Sequence, residues 1–275
     1  MSFMRFSKMH GAGNDFIIVD QTHSVRKFTP ERIQRLCDRH KGIGADGLIL
    51  LSKSSLSGQD NNCVHMDFYN CDGSRAELCG NGLRCAAAFA YQRCLAPGSD
   101  ITFVTGCGTL RTKVLSPDRV RIELPYSEQG FRKVEGVVPY PVYAGVVGVP
   151  HAVVFVPDVP SFDVETVGAA IRNHEAFQPD GTNVDFLPQD YDLSAPVQIR
   201  TFERGVEGET PACGTGSGAS AAVLRLLNPD LKKVTLLTRS EDLLDIEFPE
   251  DLSCMYLTGP AEEAFHGATG AFDLE

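Results

Sequence analysis

Short apolar runs set between turn residues dominate this chain. Stretches rich in β-branched and aromatic residues at Phe16–Val19, Ile101–Val104, Val120–Leu124, Val153–Val156, Val197–Phe202 and Lys233–Thr238 alternate with Gly, Pro, Asn, Asp and Ser. Their length and residue types predict strands. Helical patterning is scarcer. Pro30–Arg39 follows Thr29, a hydroxyl N-cap with proline at the first helical position, and predicts one helix. Gly82–Leu95 and Ser217–Leu227 are Ala-rich and apolar on most sides, which predicts two helices enclosed by sheet rather than lying on a surface. The reading is a strand-rich chain of mixed α/β class.

The chain says the same thing twice. Asn70-Cys-Asp-Gly-Ser-Arg-Ala-Glu-Leu-Cys79-Gly80-Asn81-Gly82 leads into the first enclosed helix, and Glu203-Arg-Gly-Val-Glu-Gly-Glu-Thr-Pro-Ala-Cys213-Gly214-Thr215-Gly216 leads into the second. Upstream, Gly13-Asn-Asp-Phe-Ile-Ile-Val-Asp20 is similar to Gly148-Val-Pro-His-Ala-Val-Val-Phe-Val-Pro-Asp158. Cys79 follows Gly13 by 66 residues and Cys213 follows Gly148 by 65. One C-G-x-G could arise by chance; a second with its helix and its upstream strand in register points to duplication. The expected halves are residues 1–128 and 129–275, divided where Pro125, Ser127 and Gly130 interrupt the pattern. It stays open whether the last few residues return to the first half.

A glycine-rich turn opening a helix leaves its first N–H groups without carbonyl partners, and with the helix dipole they form an anion site. A cysteine at such a start is expected to have its thiolate stabilised and its pKa lowered. Two such starts suit one chemistry in particular. Inverting a carbon next to a carboxylate means removing its proton on one face and delivering another on the opposite face, so each face needs its own acid/base group. Fixed donors must also meet the charge that develops on the carboxylate. Cys79 and Cys213 fit the first role, and the backbone of Gly80, Asn81, Gly214 and Thr215 fits the second. Cys37, Cys63, Cys85, Cys94 and Cys254 read as inert buried thiols. Other positions stay open at this level. His151 reads equally as a core histidine or a working one. Glu203 and Arg204 read as a surface ion pair or as a base beside a carboxylate clamp. Asn14 reads as a turn residue, and Asn183 as turn or ligand contact.

Composition narrows the partners. The 275 residues are 43% hydrophobic and 22% charged, enough for a sizeable core. The formal net charge of −11 comes without a basic patch, so nucleic acid is not an expected partner. The longest apolar stretch, Tyr143 to Val156, is too short for a bilayer and broken by Pro150 and His151, and the start lacks a secretory h-region. Nine cysteines at irregular spacing with no C-x-x-C pair predict reduced thiols in a cytoplasm rather than a disulfide framework or a structural zinc site.

With these residues on the page, the chain resembles the diaminopimelate epimerase family. The resemblance runs through KMHGAGNDFIIVD, GIGADGLIL, NCDGSRAELCGNGLRC, PHAVVFV, NVDF, ERGVEGETPACGTG and LTGPAEE, almost the whole length. It implies an α/β (α+β) fold of two pseudo-symmetric domains, each a barrel-like, mostly antiparallel sheet around a central helix, in a homodimer. It implies interconversion of LL- and meso-2,6-diaminopimelate for lysine and peptidoglycan precursors, with no pyridoxal phosphate, other cofactor or metal. Cys79 and Cys213 match the catalytic pair, and His151 and Glu203 the residues assisting them. Asn14, Gly80, Asn81, Gly214 and Thr215 match positions holding the reacting end of the substrate; Asn70, Asn183 and Arg204 match positions holding its distal amino-acid end, and Glu203 counts as a substrate contact as well.

Four departures stand out: Val149 where the family has Asn, Gly47 where Gln is common, an extra residue in Gly-Val-Glu-Gly-Glu, and Arg239–Asp242 in place of a Gly-Gly turn. Val149 removes a polar contact at the distal end, which leads us to expect looser selectivity and some racemisation of glutamate. Two rival readings are a proline- or hydroxyproline-type racemase, which Arg204 with Asn70 and Asn183 argues against, and a redox-sensing thiol protein. A phenazine-type isomerase is disfavoured because that group does not rely on the cysteine pair.

Overall fold

The computed structural model describes residues 3–23, 26–53, 62–75, 79–106, 108–127 and 129–270. The chain divides into two compact units, Met1–Ile122 with Pro260–Glu275, and Glu123–Gly259. In the first, β1 (Met4–Gly11) and β2 (Asn14–Asp20) pair antiparallel, and α1 (Pro30–Cys37) crosses to β3 (Gly47–Lys53), which lies parallel to β2. β4 (Cys63–Asn70) then precedes α2 (Gly80–Gln92), and β5 (Asp100–Thr105), β6 (Gly108–Ser116) and β7 (Arg119–Leu124) extend the sheet beyond β4.

This arrangement follows from the apolar runs. Phe16 to Val19 and Leu48 to Leu51 are buried continuously because helices cover both faces of β2 and β3. Ile17, Val19, Leu48 and Leu50 point one way and pack with Ile33, Leu36 and Cys37 of α1. Their neighbours point the other way, toward α2, where Ile49 and Phe16 approach Gly82. Each fully buried side chain of this size contributes about 1.5–3 kcal/mol. α2 is buried at every residue from Gly80 to Ala90, on all its faces, as its all-round apolar pattern requires.

The second unit repeats the plan. After β8 (Arg132–Val134), β9 (Val142–Val147) and β10 (Val149–Val156) pair antiparallel, and α3 (Val164–Arg172) crosses to β11 (Asn183–Pro188), parallel to β10. The strands β12 (Val197–Gln198), β13 (Arg200–Glu203) and β14 (Gly208–Thr210) lead to α4 (Gly214–Leu227), followed by β15 (Lys233–Leu237), β16 (Leu243–Glu247) and β17 (Met255–Pro260). β18 (Glu262–Thr269) returns to the first unit and pairs antiparallel with β1. Phe16 faces Gly47 in one parallel pair and His151 faces Asn183 in the other, so the two halves also share their register. Two duplicated α+β halves, mostly antiparallel and each with one enclosed helix, are what the sequence predicts.

Three details differ from the sequence reading. The run Val197–Phe202 is two strands: it breaks at Ile199, with β12 pairing to β15 and β13 to β11 and β14. α3 went unpredicted because Gly168 interrupts its pattern. A Cβ there would come within 2.6 Å of the Phe202 side chain, so close packing on β13 requires the glycine. The enclosed helices begin earlier than their apolar patterns, at Gly80 and Gly214, and α2 stops at Gln92, shortly before Cys94 takes a positive φ of 55°.

Candidate active site

The two cysteines occupy equivalent places in their helices. Cys79 is the N-cap of α2 and Cys213 the N-cap of α4, both in extended conformation, and each sulfur accepts the N–H of the third helical residue, Gly82 or Gly216, at 3.4 Å. Their carbonyls accept from Leu83 and Ser217 at 2.8 and 2.9 Å. Gly80 and Asn81, like Gly214 and Thr215, therefore supply the first-turn amides that have no helical carbonyl to bond. Neither helix has an acidic residue in its first turn to compete for them.

In the first unit, Asn14 at the start of β2 meets the α2 N-terminus. Its Oδ1 accepts from the Cys79 thiol at 3.5 Å and from Asn81 Nδ2 at 3.3 Å. Its own Nδ2 donates to Asp46 Oδ2 at 2.7 Å. Asp46 thus decides which end of the Asn14 amide faces the sulfur. Asn81 is held in turn by the buried Arg84, whose Nη2 donates to Asn81 Oδ1 at 2.9 Å and whose Nε donates to the Pro260 carbonyl at 3.1 Å. Behind Asp46, Arg39 bridges Asp46 and Asp15, and Lys8 pairs with Asp15 at 2.8 Å. Burial pushes the Asp15 carboxyl up, but Arg39 and Lys8 outweigh it and hold the group well below the usual carboxylate range. Asn70 ends β4 opposite Gly47, next to Asp46 in the chain; it is exposed, and its amide donates to Ser74 Oγ at 3.0 Å.

In the second unit, Cys213 is buried and its sulfur lies 3.4 Å from Thr215 Oγ1. Glu203, at the end of β13, accepts from Thr210 Oγ1 at 2.6 Å, and its charge acts on the Cys213 thiol. Burial lifts the Glu203 carboxyl above its ordinary value, although Thr210 opposes the change. Cys213 itself is raised well above the usual thiol range, first by burial and then by the negative charges of Glu203 and Asp185. The expectation of a lowered pKa fails here. The helix amide and Thr215 do favour the thiolate, but two carboxylates from other strands and the loss of solvent outweigh them.

His151 on β10 is buried, and its Nδ1 lies 2.8 Å from Asp185 Oδ2. Asp185 also accepts from Thr201 Oγ1 at 2.8 Å. Arg204 and Glu203 do not pair with each other. The Arg204 backbone N–H donates to Asn183 Oδ1 at 2.8 Å, and its Nη1 to the Asp180 carbonyl at 3.2 Å. Asn183 thereby fixes the bend after Glu203.

Asp46 and Asp185 were not singled out in the sequence. Asp185 carries a signal all the same: an acid in the middle of the buried strand Asn183–Pro188 must have a partner. Cys107 lies outside the described residues. Among the described residues, no group of three or more His, Cys, Asp or Glu side chains is placed to hold a metal ion, and no helix is long and apolar enough to cross a membrane.

Known proteins share both the fold and the sequence. The solved structure of a Bacillus anthracis phenazine biosynthesis protein of the PhzF family superposes with a TM-score of 0.72 at 15% identity, covering 98% of this chain and 99% of that one. A probable proline racemase from Agrobacterium radiobacter superposes at 0.65 and 14%, covering 98% and 94%. At such identities the likeness shows the fold alone. Sequence relatives are much nearer. A protein named diaminopimelate epimerase from Aquifex aeolicus is 42% identical over 99% of this chain and 100% of its own length, and one from Chlorobaculum tepidum is 39% identical over 94% and 98%. The profile of the family described as Diaminopimelate epimerase matches residues 6–124 and 143–263, one stretch in each half. The chain belongs to the diaminopimelate epimerase family, a family of isomerases.

Proposed function

We propose that the protein interconverts LL- and meso-2,6-diaminopimelate by proton transfer between two cysteines and the substrate α-carbon, with no added cofactor. The observation that carries this reading is the repeated cap: two cysteines, each at the N-terminus of an enclosed helix, each bonded to the third helical amide at the same distance. Relatives named for this reaction, similar over nearly their whole length, supply the substrate.

In the forward step, a thiolate on one face takes the α-proton as the Cα–H bond breaks and an S–H bond forms. The thiol on the other face then gives its proton to the carbanion, so the inverted product forms with no net gain or loss of protons. The first-turn amides of both helices meet the charge developing on the α-carboxylate. Cys213, with its pKa raised, holds its proton in the resting protein and acts as the donor. For the reverse direction it must lose that proton, and Glu203, whose charge acts on Cys213 and which burial makes more basic, is the base for it. Asn14, with its carbonyl turned toward the sulfur, accepts the Cys79 S–H hydrogen bond and so orients that thiol. Asn70, Asn183 and Arg204 belong to the distal amino-acid end, and the enzyme works as a homodimer.

The test is direct. Purified protein with LL-diaminopimelate and a reductant should generate meso-diaminopimelate on chiral chromatography, approaching the same mixture from either isomer. If neither isomer is converted, the reading fails. A side activity follows from Val149, the aliphatic residue that opens β10. Glutamate should then gain deuterium at Cα in deuterated solvent, and a complete absence of label would remove that part of the proposal.

A further inference from the structure

The hairpin from β13 to β14 carries charges that the proton transfers proposed above leave without a role. Glu203 faces Gly208 across the pair, so Arg204, Gly205, Val206 and Glu207 form the turn, closed by the Glu207 N–H on the Glu203 carbonyl at 2.8 Å. This is the segment with the extra residue, and it places a carboxylate, Glu207, three positions from Arg204. The two do not pair. One oxygen of Glu207, Oε1, accepts from Arg172 Nε at 3.2 Å, from Arg172 Nη2 at 3.1 Å and from the Gly205 N–H at 3.0 Å. Arg172 ends α3 and packs against Gly181 so closely that its Nη1 leaves no room for a Cβ there. The next arginine, Arg200, bonds both oxygens of Glu209 at 2.6 and 2.7 Å. Arg204 is held differently, by its backbone on Asn183 and by Nη1 on the Asp180 carbonyl. Of these three arginines, it is the one that meets no carboxylate among the described residues.

A half-buried guanidinium has five N–H donors, of which the Asp180 carbonyl takes one, and it attracts any carboxylate within reach. Glu207 is the nearest such group in the turn, and the Arg204 charge already acts on it. An Arg204–Glu207 pair would satisfy both side chains and close the guanidinium to every other anion. The structure shows the acid taken instead by Arg172 and the Gly205 N–H. We propose that Arg172 is a positioning residue for substrate binding: it holds Glu207 on the end of α3 and so keeps the Arg204 guanidinium open to a carboxylate of the substrate. The inference rests on the epimerase reading, in which Arg204 belongs to the distal amino-acid end. That end takes no part in the proton transfers, so its contact is equally strong before and during the reaction, and losing it raises KM more than it lowers kcat. Arg172 and Glu207 touch no substrate atom in this account; they act through Arg204.

The experiment combines kinetics with chemical labelling on wild type, Arg172→Met, Glu207→Gln and the double variant. Arg172→Met frees the acid to pair with Arg204, and its KM for diaminopimelate should rise roughly 10–100-fold with kcat little changed. Glu207→Gln removes the competing charge, so its KM should stay near wild type, and adding it to Arg172→Met should bring KM back down. That rescue separates the two roles open to Arg172: were it only a brace for the fold, the double variant would be as poor as Arg172→Met. An unrescued double variant, or an Arg172→Met protein with wild-type KM, overturns the inference. Phenylglyoxal followed by peptide mass mapping reads the arginines without turnover. In wild type it should modify Arg204 ahead of Arg172 and Arg200, and in Arg172→Met the labelling of Arg204 should slow severalfold. Should Arg172→Met not fold, the wild-type labelling still decides, and modification of Arg172 ahead of Arg204 overturns the inference. Wild type that converts no diaminopimelate but labels Arg204 first would overturn the epimerase reading and leave the pairing of Glu207 with Arg172 standing.

Discussion

Substituting alanine at Gly216 tests the packing of Asp185 against the cysteine turn, with Gly82 as a matched control. Both glycines are the third residue of their helix, and both donate their N–H to the capping sulfur at 3.4 Å. In an open helix, Gly→Ala stabilises by about 1 kcal/mol. At Gly82 the added methyl meets the end of Ile49 at 3.2 Å and the Phe16 ring at 3.5 Å, contacts that a small side-chain adjustment relieves. Gly82→Ala should therefore stay within about 1 kcal/mol of wild type. At Gly216 the methyl would land 2.2 Å from Asp185 Oδ1, against the 3.4 Å of ordinary contact, so the carboxylate must move by about 1.2 Å. Displacement on that scale takes the Thr201 bond out of range. Loss of a hydrogen bond to a charged group costs about 1.5–3 kcal/mol, so after the helical gain a net loss of about 0.5–2 kcal/mol remains. If the His151 bond also breaks, the net loss rises to about 2–5 kcal/mol. The assay is the urea midpoint of each variant together with kcat for diaminopimelate. Gly216→Ala should be less stable than Gly82→Ala and slower in turnover. A Gly216→Ala protein as stable and as active as Gly82→Ala would refute the close approach of Asp185 to the α4 N-terminus.

Other consequences follow from the same geometry. Glu203→Gln removes one of the charges that raise Cys213, so in the resting protein iodoacetamide should alkylate Cys213 faster, about tenfold for each pKa unit by which the thiol falls, while epimerisation slows; slower alkylation would contradict the electrostatic account. Asp46→Ala frees the Asn14 amide, and loss of that orientation should reduce kcat/KM by roughly 10–100-fold; wild-type kinetics would show that Asp46 does not orient Asn14. Asp15 has its folded pKa depressed, so the unfolded chain takes up its proton first as pH falls, and the stability it contributes is present above about pH 4 and lost below. In urea melts at several pH values, Asp15→Asn should therefore lie below wild type at neutral pH and converge on it in acid; a gap that persists or widens toward low pH would reverse the sign of the argument.

How much of this was legible in the chain depends on distance along it. The caps at Cys79 and Cys213 were readable because a helix start is local: cysteine, glycine and an apolar run lie within a few residues. The duplication was readable because it copies that local signal at matching spacing. Asp46 and Asp185 were not, since each works on a side chain more than 30 residues away, on Asn14 and His151, brought alongside only when a strand pairs in parallel after a helical crossover. The same limit explains the thiol. The helix end that favours a thiolate at Cys213 is written next to it, whereas the opposing carboxylates come from β11 and β13. Gly168 hid α3 because its reason, the Phe202 side chain, also lies on another element.

The central claim is that two thiols serve opposite faces of one carbon, and early isotope distribution tests it most directly. Protein is given LL-diaminopimelate in deuterium oxide, and both isomers are isolated after a small fraction of turnover from wild type, Cys79→Ala and Cys213→Ala. With two bases, the new meso isomer should carry deuterium at the inverted α-carbon while the remaining LL isomer keeps its hydrogen, and both alanine variants should lose epimerisation. A variant that still epimerises, or an early meso product that retains the substrate's own hydrogen, would contradict the two-thiol account.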